Sequence, residues 1–357
     1  MEGQTSSVGR ASFAVLDVLR RAQGNALTAF GLGPREYPYR IVASGPHWRL
    51  RDYAGRDAAS LLIVAAPIKR PYIWDLEPSV SAIRYCLREG LQVYLLEWMP
   101  ASRVSQDNGL DEYTDAISEC VARISRQNPL IKPFLAGHSL GGTLAAFSSA
   151  LAPESIRGLI LLGAPLCFEP ASSQFRDALV SLVPKPLSEG DPLPGSLLSF
   201  ITTLASPSTF IWARMRDAIL SVPDRQALEI HARIERWALD EVALPGKLVQ
   251  QIIQWLYRDN RFCRGTLKVG GKLIGPSSLS VSTLVLVNMA DQVAPLASIK
   301  PCVDAMPATD VRIIEYPGET GVGLQHLAVL VGRQAHARLW PQIISWIKAR
   351  SQPVSSR

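Results

Sequence analysis

The chain has 357 residues, 47% hydrophobic and 19% charged, with 37 Lys and Arg against 31 Asp and Glu for a formal net charge of +6. That balance excludes a disordered or low-complexity protein, and the length suffices for a buried core without disulfide or metal staples. The basic residues are scattered, with dense patches as short as Lys69-Arg70 and no alternation with aromatics, so no nucleic-acid partner is expected.

Residues 1–37 read as a short helical or poorly ordered lead-in. From residue 38 the pattern is regular. Tyr39–Ser44 and His47–Tyr53 read as paired strands, and Ser60–Ala66 is a continuous apolar run of the length of a buried parallel strand, ended by Pro67. Leu76, Val80, Ile83 and Leu87 fall on one face of a helix predicted over 75–88, which Gly90 stops. Strand Leu91–Trp98, helix Leu110–Arg126, strand Phe134–Ala136, helix 140–151 and strand Arg157–Gly163 follow. Strict alternation of apolar strand and helix predicts a mostly parallel sheet covered on both faces, with its first core part over 38–167.

The alternation breaks near 168. Pro and Ser clusters with helical stretches at 224–239 and 245–257 read as a mainly helical insertion over 168–275. Its apolar residues Leu197, Leu198, Phe200, Ile201, Phe210, Ile211 and Trp212 suit a cap, most of them as packing. A second core part over 276–350 carries strand Ser282–Asn288, a helix over 295–305, strand Val311–Tyr316 and a helix over 333–349, and 351–357 reads as a loose tail.

The five cysteines (Cys86, Cys120, Cys167, Cys263, Cys302) form no CxxC pair, and the first residues carry no apolar signal region. Reduced thiols and a cytoplasmic location are expected. No apolar run approaches ~18 residues, so no membrane span is expected.

The chemistry centres on Gly137-His138-Ser139-Leu140-Gly141-Gly142. A chain of this length holds a chance G-x-S-x-G roughly one time in ten. Here the motif follows a short apolar strand and opens an Ala-rich helix, the strand-turn-helix context of a nucleophile elbow in an α/β-hydrolase fold. A serine hydroxyl needs a base, and in that fold the order along the chain is Ser, acid, His. Asp291, in the polar run NMADQVAP past a buried strand, takes the acid position; its alternative is capping a helix that starts near Val293. Asp304 and Asp310 are weaker rivals. His326, in a loop before the last helix, takes the base position. His138 reads as a support for the turn and His336 as a surface residue of a helix, while His47 and His231 have no matching context. The oxyanion hole is assigned to the N–H of Leu140 and, from the loop after strand 60–66, of Ile68, since Pro67 has no N–H. Such a donor is worth ~3 kcal/mol of transition-state stabilisation. No metal or organic cofactor is implied.

Taken together these residues resemble the catalytic subunit of polyhydroxyalkanoate synthases, especially the short class III form. The resemblance rests also on LLIVAAPIKRPYIWDLEPSVSAIRYCLREGLQVYLLEW, on ERWALDEVALPGKLVQQIIQWLYRDNRFCRGTLKVGGKLI, and on the acid and His runs NMADQVAP and LQHLAV, and extends over 58–350. The chain departs from that family at two positions: Ser139 stands where the family carries a nucleophilic Cys, and Gln325 where a Gly precedes the His. A serine acyl-enzyme is an oxygen ester, for which water is the usual acceptor. The sequence therefore points first to a serine ester hydrolase of esterase or lipase type. The alternative is a synthase-like acyltransferase using hydroxyacyl-CoA. The substrate is thus a small ester or an acyl-CoA. The resemblance implies a second, non-catalytic subunit for a class III synthase, and self-association is left open.

Overall fold

The computed structural model describes residues 2–55, 59–102, 104–127, 132–184, 191–308 and 310–351, with side chains from Ser12 onward. Its frame is an eight-stranded sheet in the order β1-β2-β4-β3-β5-β6-β9-β10. The strands are β1 (Arg40–Ser44), β2 (Trp48–Asp52), β3 (Ser60–Val64), β4 (Gln92–Trp98), β5 (Phe134–His138), β6 (Gly158–Leu162), β9 (Thr283–Asn288) and β10 (Val311–Tyr316); β7 (Leu267–Val269) and β8 (Lys272–Ile274) form a separate hairpin. β1 and β2 are antiparallel additions at one edge, and β4 through β10 run parallel. The chain builds outward from β3 in both directions, β4 on one side and β5 on the other. In parallel sheets such a reversal opens a crevice at the carboxyl ends of the strands, where ligands bind.

The apolar runs are continuous because both faces are covered. Leu62, Val64, Leu135, Leu159 and Leu161 point into one buried layer, shared with α3 (Leu110–Gln127) and α4 (Leu140–Leu151). Leu61, Ile63, Phe134, Ile160 and Leu162 point into the other, closed by α2 (Ala82–Arg88) and by α11 (Ala328–Val331), α12 (Arg333–Arg338) and α13 (Trp340–Ser351).

The helices differ from expectation where proline and capping intervene. The run 75–88 is helical only from Ala82. Pro78 sits in a separate short turn, and Ser81 leaves the helical conformation to accept the N–H of Arg84 as an N-cap. The run 295–305 splits into a turn over Leu296–Ser298 and α10 (Lys300–Asp304). The run 333–349 splits before Trp340-Pro341, because proline belongs in a helix's first turn rather than its interior. The Gly270-Gly271 turn of the β7–β8 hairpin has both residues at positive φ, +56° and +75°. That pair is the sequence signal by which the hairpin could have been found. The proposed tail, apart from Ser351, lies outside the described residues.

The lead-in forms one helix, α1 (Glu2–Leu27), fastened elsewhere on the chain. Asp17 accepts the N–H of Ser196, and Arg20 pairs with Glu241 at 2.8 Å. Between β6 and β9 lie α5 (Gln174–Leu182), α6 (Gly195–Ala205), α7 (Ala213–Ser221), α8 (Arg225–Ala238) and α9 (Gly246–Gln251). Leu197, Leu198, Ile201 and Phe210 pack around a third apolar cluster there, whereas Phe200, Ile211 and Trp212 stand exposed. No single helix among the described residues is long and apolar enough to cross a membrane.

The expectation of reduced thiols is corrected at two positions. Cys167 and Cys263 form a disulfide, their Cα atoms 5.1 Å apart despite a separation of 96 residues. Asn260 causes the encounter: its side chain accepts the N–H of Phe168 and donates to Glu169, drawing the 260s against the exit of β6. Cys86, Cys120 and Cys302 are free and buried.

Candidate active site

Ser139 sits at the carboxyl end of β5 with φ +54° and ψ −134°, a backbone region that side chains rarely occupy. Packing enforces this turn. A Cβ on Gly137 would lie 2.5 Å from the nitrogen of Gly142, and one on Gly141 would lie 2.3 Å from the carbonyl oxygen of Val64. Only glycines let α4 fold back this tightly against β5 and the end of β3. The second contact sets the first turn of α4, with Leu140, beside the loop that follows β3.

That loop is fixed from above. The carbonyl of Ile68 accepts the N–H of Val242, and the N–H of Arg70 donates to Asp240. The amine of Lys69 reaches Glu241 at 3.2 Å, and burial pushes its pKa down to about 8 despite that carboxylate. Ile68 itself packs against the third apolar cluster.

Asp291 and His326, 35 residues apart, meet with Nδ1 of His326 2.6 Å from Oδ2 of Asp291. The other carboxylate oxygen accepts the N–H groups of Val293 and Ala294. Asp291 thus holds its own turn and the histidine at once, so the capping alternative describes half of what the side chain does; no helix begins at Val293. Burial raises its carboxyl pKa, but the imidazole and the two backbone donors outweigh burial and hold the group below the ordinary carboxylate value. With a carboxylate on Nδ1, the neutral imidazole carries its proton there, leaving Nε2 as the acceptor.

The two parts of the site adjoin. The N–H of Ser139 donates to Leu162, and a Cβ on the next residue, Gly163, would lie 3.4 Å from Oδ2 of Asp291 and 3.8 Å from Cε1 of His326. His138 bonds the carbonyl of His326 through Nε2 at 2.7 Å, with the two rings 4.5 Å apart. Burial, with His326 alongside, lowers the pKa of His138 to about 3, so it is a neutral donor to that carbonyl. Nε2 of His326 is buried and has no hydrogen-bond partner among the described residues. The site is therefore a buried imidazole anchored through Nδ1 with its other nitrogen unpartnered among the described residues, beside a serine on a strained turn.

The remaining histidines and acids fall elsewhere. His47 contacts the carbonyl of Glu112 and stacks on Trp98. His336 is buried, not on the surface: it bonds the carbonyl of Leu330 and stacks on Trp340. Asp304 pairs with Lys300, and Asp310 with Arg350. His231 has a partner that sequence reasoning did not supply, Asp217, with Nδ1 2.8 Å from its carboxylate. Gln325 braces its loop, donating to the carbonyl of Glu319 at 2.7 Å while Asn288 donates to its backbone carbonyl at 2.7 Å. Among the described residues no group of His, Cys, Asp and Glu could hold a metal.

A family model for the alpha/beta hydrolase fold matches residues 77–317. The chain belongs to the alpha/beta hydrolase family. It is similar to a poly(3-hydroxyalkanoate) polymerase subunit PhaC of Haloferax mediterranei, 28% identical over 95% of this chain and 69% of the relative. A protein of the same name from Haloarcula marismortui is 28% identical over 83% of this chain and 62% of the relative. The chain thus spans roughly two thirds of the length of these two relatives. Among solved structures, a monoacylglycerol lipase of Paleococcus ferrophilus superposes with a TM-score of 0.56 at 16% identity, covering 85% of this chain and 99% of that one. That likeness concerns the fold alone.

Proposed function

We propose that this protein is an acyltransferase of polyhydroxyalkanoate synthase type, which takes a hydroxyacyl group from its coenzyme A thioester onto Ser139 and passes it to a hydroxyl acceptor. The supporting observation is the Asp291–His326 pair beside the Ser139 turn, in a chain similar to a poly(3-hydroxyalkanoate) polymerase subunit over 95% of its length. This reverses the order of preference that the serine alone gives.

In the cycle, Nε2 of His326 takes the proton of the Ser139 hydroxyl as Oγ attacks the thioester carbonyl. The oxyanion rests on the N–H of Leu140 and of Ile68. The C–S bond breaks and His326 returns the proton to the departing thiolate. The acceptor hydroxyl then loses its proton to His326, attacks the acyl-serine ester, and Ser139 leaves with that proton. Asp291 holds the tautomer and stabilises the imidazolium in both halves. With serine the thioester energy is released on acylation, and the second half is a near-balanced exchange of esters. The Ser139–His326 hydrogen bond, absent with Nε2 unpartnered, forms as substrate settles, as is common at such sites. The helices between β6 and β9 serve as the cap over this crevice.

Ser139 itself favours a second reading, hydrolysis of carboxylic esters, in which water replaces the hydroxyl acceptor. One experiment separates the two. The protein is given 3-hydroxybutyryl-coenzyme A, and thiol release, free 3-hydroxybutyrate and oligomer are measured beside a Ser139→Ala control. Oligomer exceeding free acid supports transfer. Free acid alone, or cleavage only of a p-nitrophenyl ester, supports hydrolysis.

A further inference from the structure

The loop that delivers His326 is held at its two ends, by Glu319, whose carboxylate accepts the N–H groups of Gln334 and Ala335, and by Gln325, whose backbone carbonyl accepts the side chain of Asn288. Gly318, Gly321 and Gly323 all lie at positive φ (+85°, +85° and +66°), and no regular element supports it between β10 and the turn at Gln325. Its middle, Gly321–Gly323, is held from the helices between β6 and β9. Oδ1 of Asp217, on α7, accepts the N–H of Gly321 at 2.8 Å, and Oδ2 accepts the N–H of Gly323 at 2.8 Å together with Nδ1 of His231, on α8. All these partners are buried around a carboxylate that is itself 7% exposed. The loop lies directly on α8: a Cβ on Gly321 would sit 2.8 Å from Cβ of Ala227, and one on Gly323 3.0 Å from Ile234. Beyond His231, Glu235 stands 3.7 Å from Nε2 and is paired with Arg214 of α7. A buried carboxylate with three donors is a costly feature that apolar packing would not need.

We propose that Asp217, oriented by His231, is a positioning residue for the base: a latch through which the helical insertion holds the Gly321–Gly323 loop and so sets where His326 stands. This rests on the reading of Ser139 and His326 as nucleophile and base. Asp217 touches neither substrate nor reacting atoms. Its effect is on the fraction of time that Nε2 faces the serine.

The test uses the full chain and two readouts. The first is labelling of Ser139 by a p-nitrophenyl alkylphosphonate, resolved into maximal rate and half-saturating concentration. The second is hydrogen exchange at the Gly321 and Gly323 amides. In Asp217→Asn the maximal labelling rate falls roughly 10- to 100-fold, half-saturation stays within about twofold, and both amides lose protection while those of β5 and β9 keep theirs. His231→Ala lowers the rate a few-fold, and His231→Gln, whose amide can still donate to Asp217, restores most of it. The latch is overturned if folded Asp217→Asn labels at the wild-type rate with both amides still protected. Should Asp217→Asn not fold, equal labelling by His231→Ala and wild type overturns it as well. A wild-type protein that does not label refutes the Ser139 reading, and the exchange data then decide alone: fast wild-type amides at 321 and 323 mean that no latch exists.

Discussion

Two buried His–Asp pairs lie in this molecule. Asp291–His326 joins at 2.6 Å and Asp217–His231 at 2.8 Å, each through Nδ1 and each with the carboxylate also collecting two backbone N–H groups. As isolated motifs they are indistinguishable. They differ in what the far ring nitrogen meets. In His231, Nε2 lies 3.7 Å from a carboxylate oxygen of Glu235, so the ring stands between two acids. In His326, Nε2 is unpartnered among the described residues and the serine turn adjoins. The comparison teaches that a histidine becomes a candidate base by the neighbour it lacks as much as by the one it has.

The sharpest way to break the comparison is to remove the proposed nucleophile. Ser139→Ala is expected to lower acyl turnover by roughly 10⁴-fold or more with an unchanged circular dichroism spectrum. Next comes Asp291→Asn, which leaves the shape but reverses the polarity facing Nδ1; turnover of the same substrate falls by about 10³- to 10⁴-fold. That variant also tests the electrostatics. Because folding lowers the pKa of Asp291, its ionised form stabilises the protein above the unfolded value of ~3.9, and this is lost as pH falls through the folded value. Denaturant titrations below pH 4 should therefore show a shallower acid loss in Asp291→Asn than in wild type.

Smaller effects sharpen the contrast between sheet and insertion. Cys167→Ser removes the link between the exit of β6 and the 260s and should cost about 2–4 kcal/mol, read as a lower unfolding temperature that dithiothreitol reproduces in wild type but not in the variant. The last concerns His138, held neutral with a pKa of about 3 against ~6.5 unfolded. The unfolded chain binds the extra proton between those values, so stability drops as pH falls through that window. His138→Gln should lessen the drop between pH 6.5 and 4 without a large change at pH 8. An unaltered pH–stability curve would contradict the assigned neutrality.

The sheet was legible because parallel strands buried on both faces must be apolar throughout: SLLIV, FLAGH, GLILL and TLVLVN could hardly be anything else. The Ser139 turn was legible because its steric demands leave a glycine signature. Asp291 and His326 were legible by their position after strands β9 and β10. What pattern could not reach are pairings made by distant side chains. Nothing local in RMRDAILS or LEIHARI marks Asp217 and His231 as partners, and nothing near Cys167 marks Cys263. His336 shows a subtler failure. A helical histidine among Arg and Gln reads as exposed, yet its ring is buried against the indole of Trp340 and bonded to the carbonyl of Leu330. Pro78 likewise shortened a helix that apolar periodicity alone extended by two turns.

The bond from the ring of His138 to the carbonyl of His326 spans 188 residues of sequence and a single peptide unit from the serine. Because it joins the neighbour of Ser139 to the backbone of His326, thermal drift of either segment carries its counterpart along. Their separation should fluctuate less than the displacement of either relative to the sheet, so the pair behaves as one jaw rather than as two fingers.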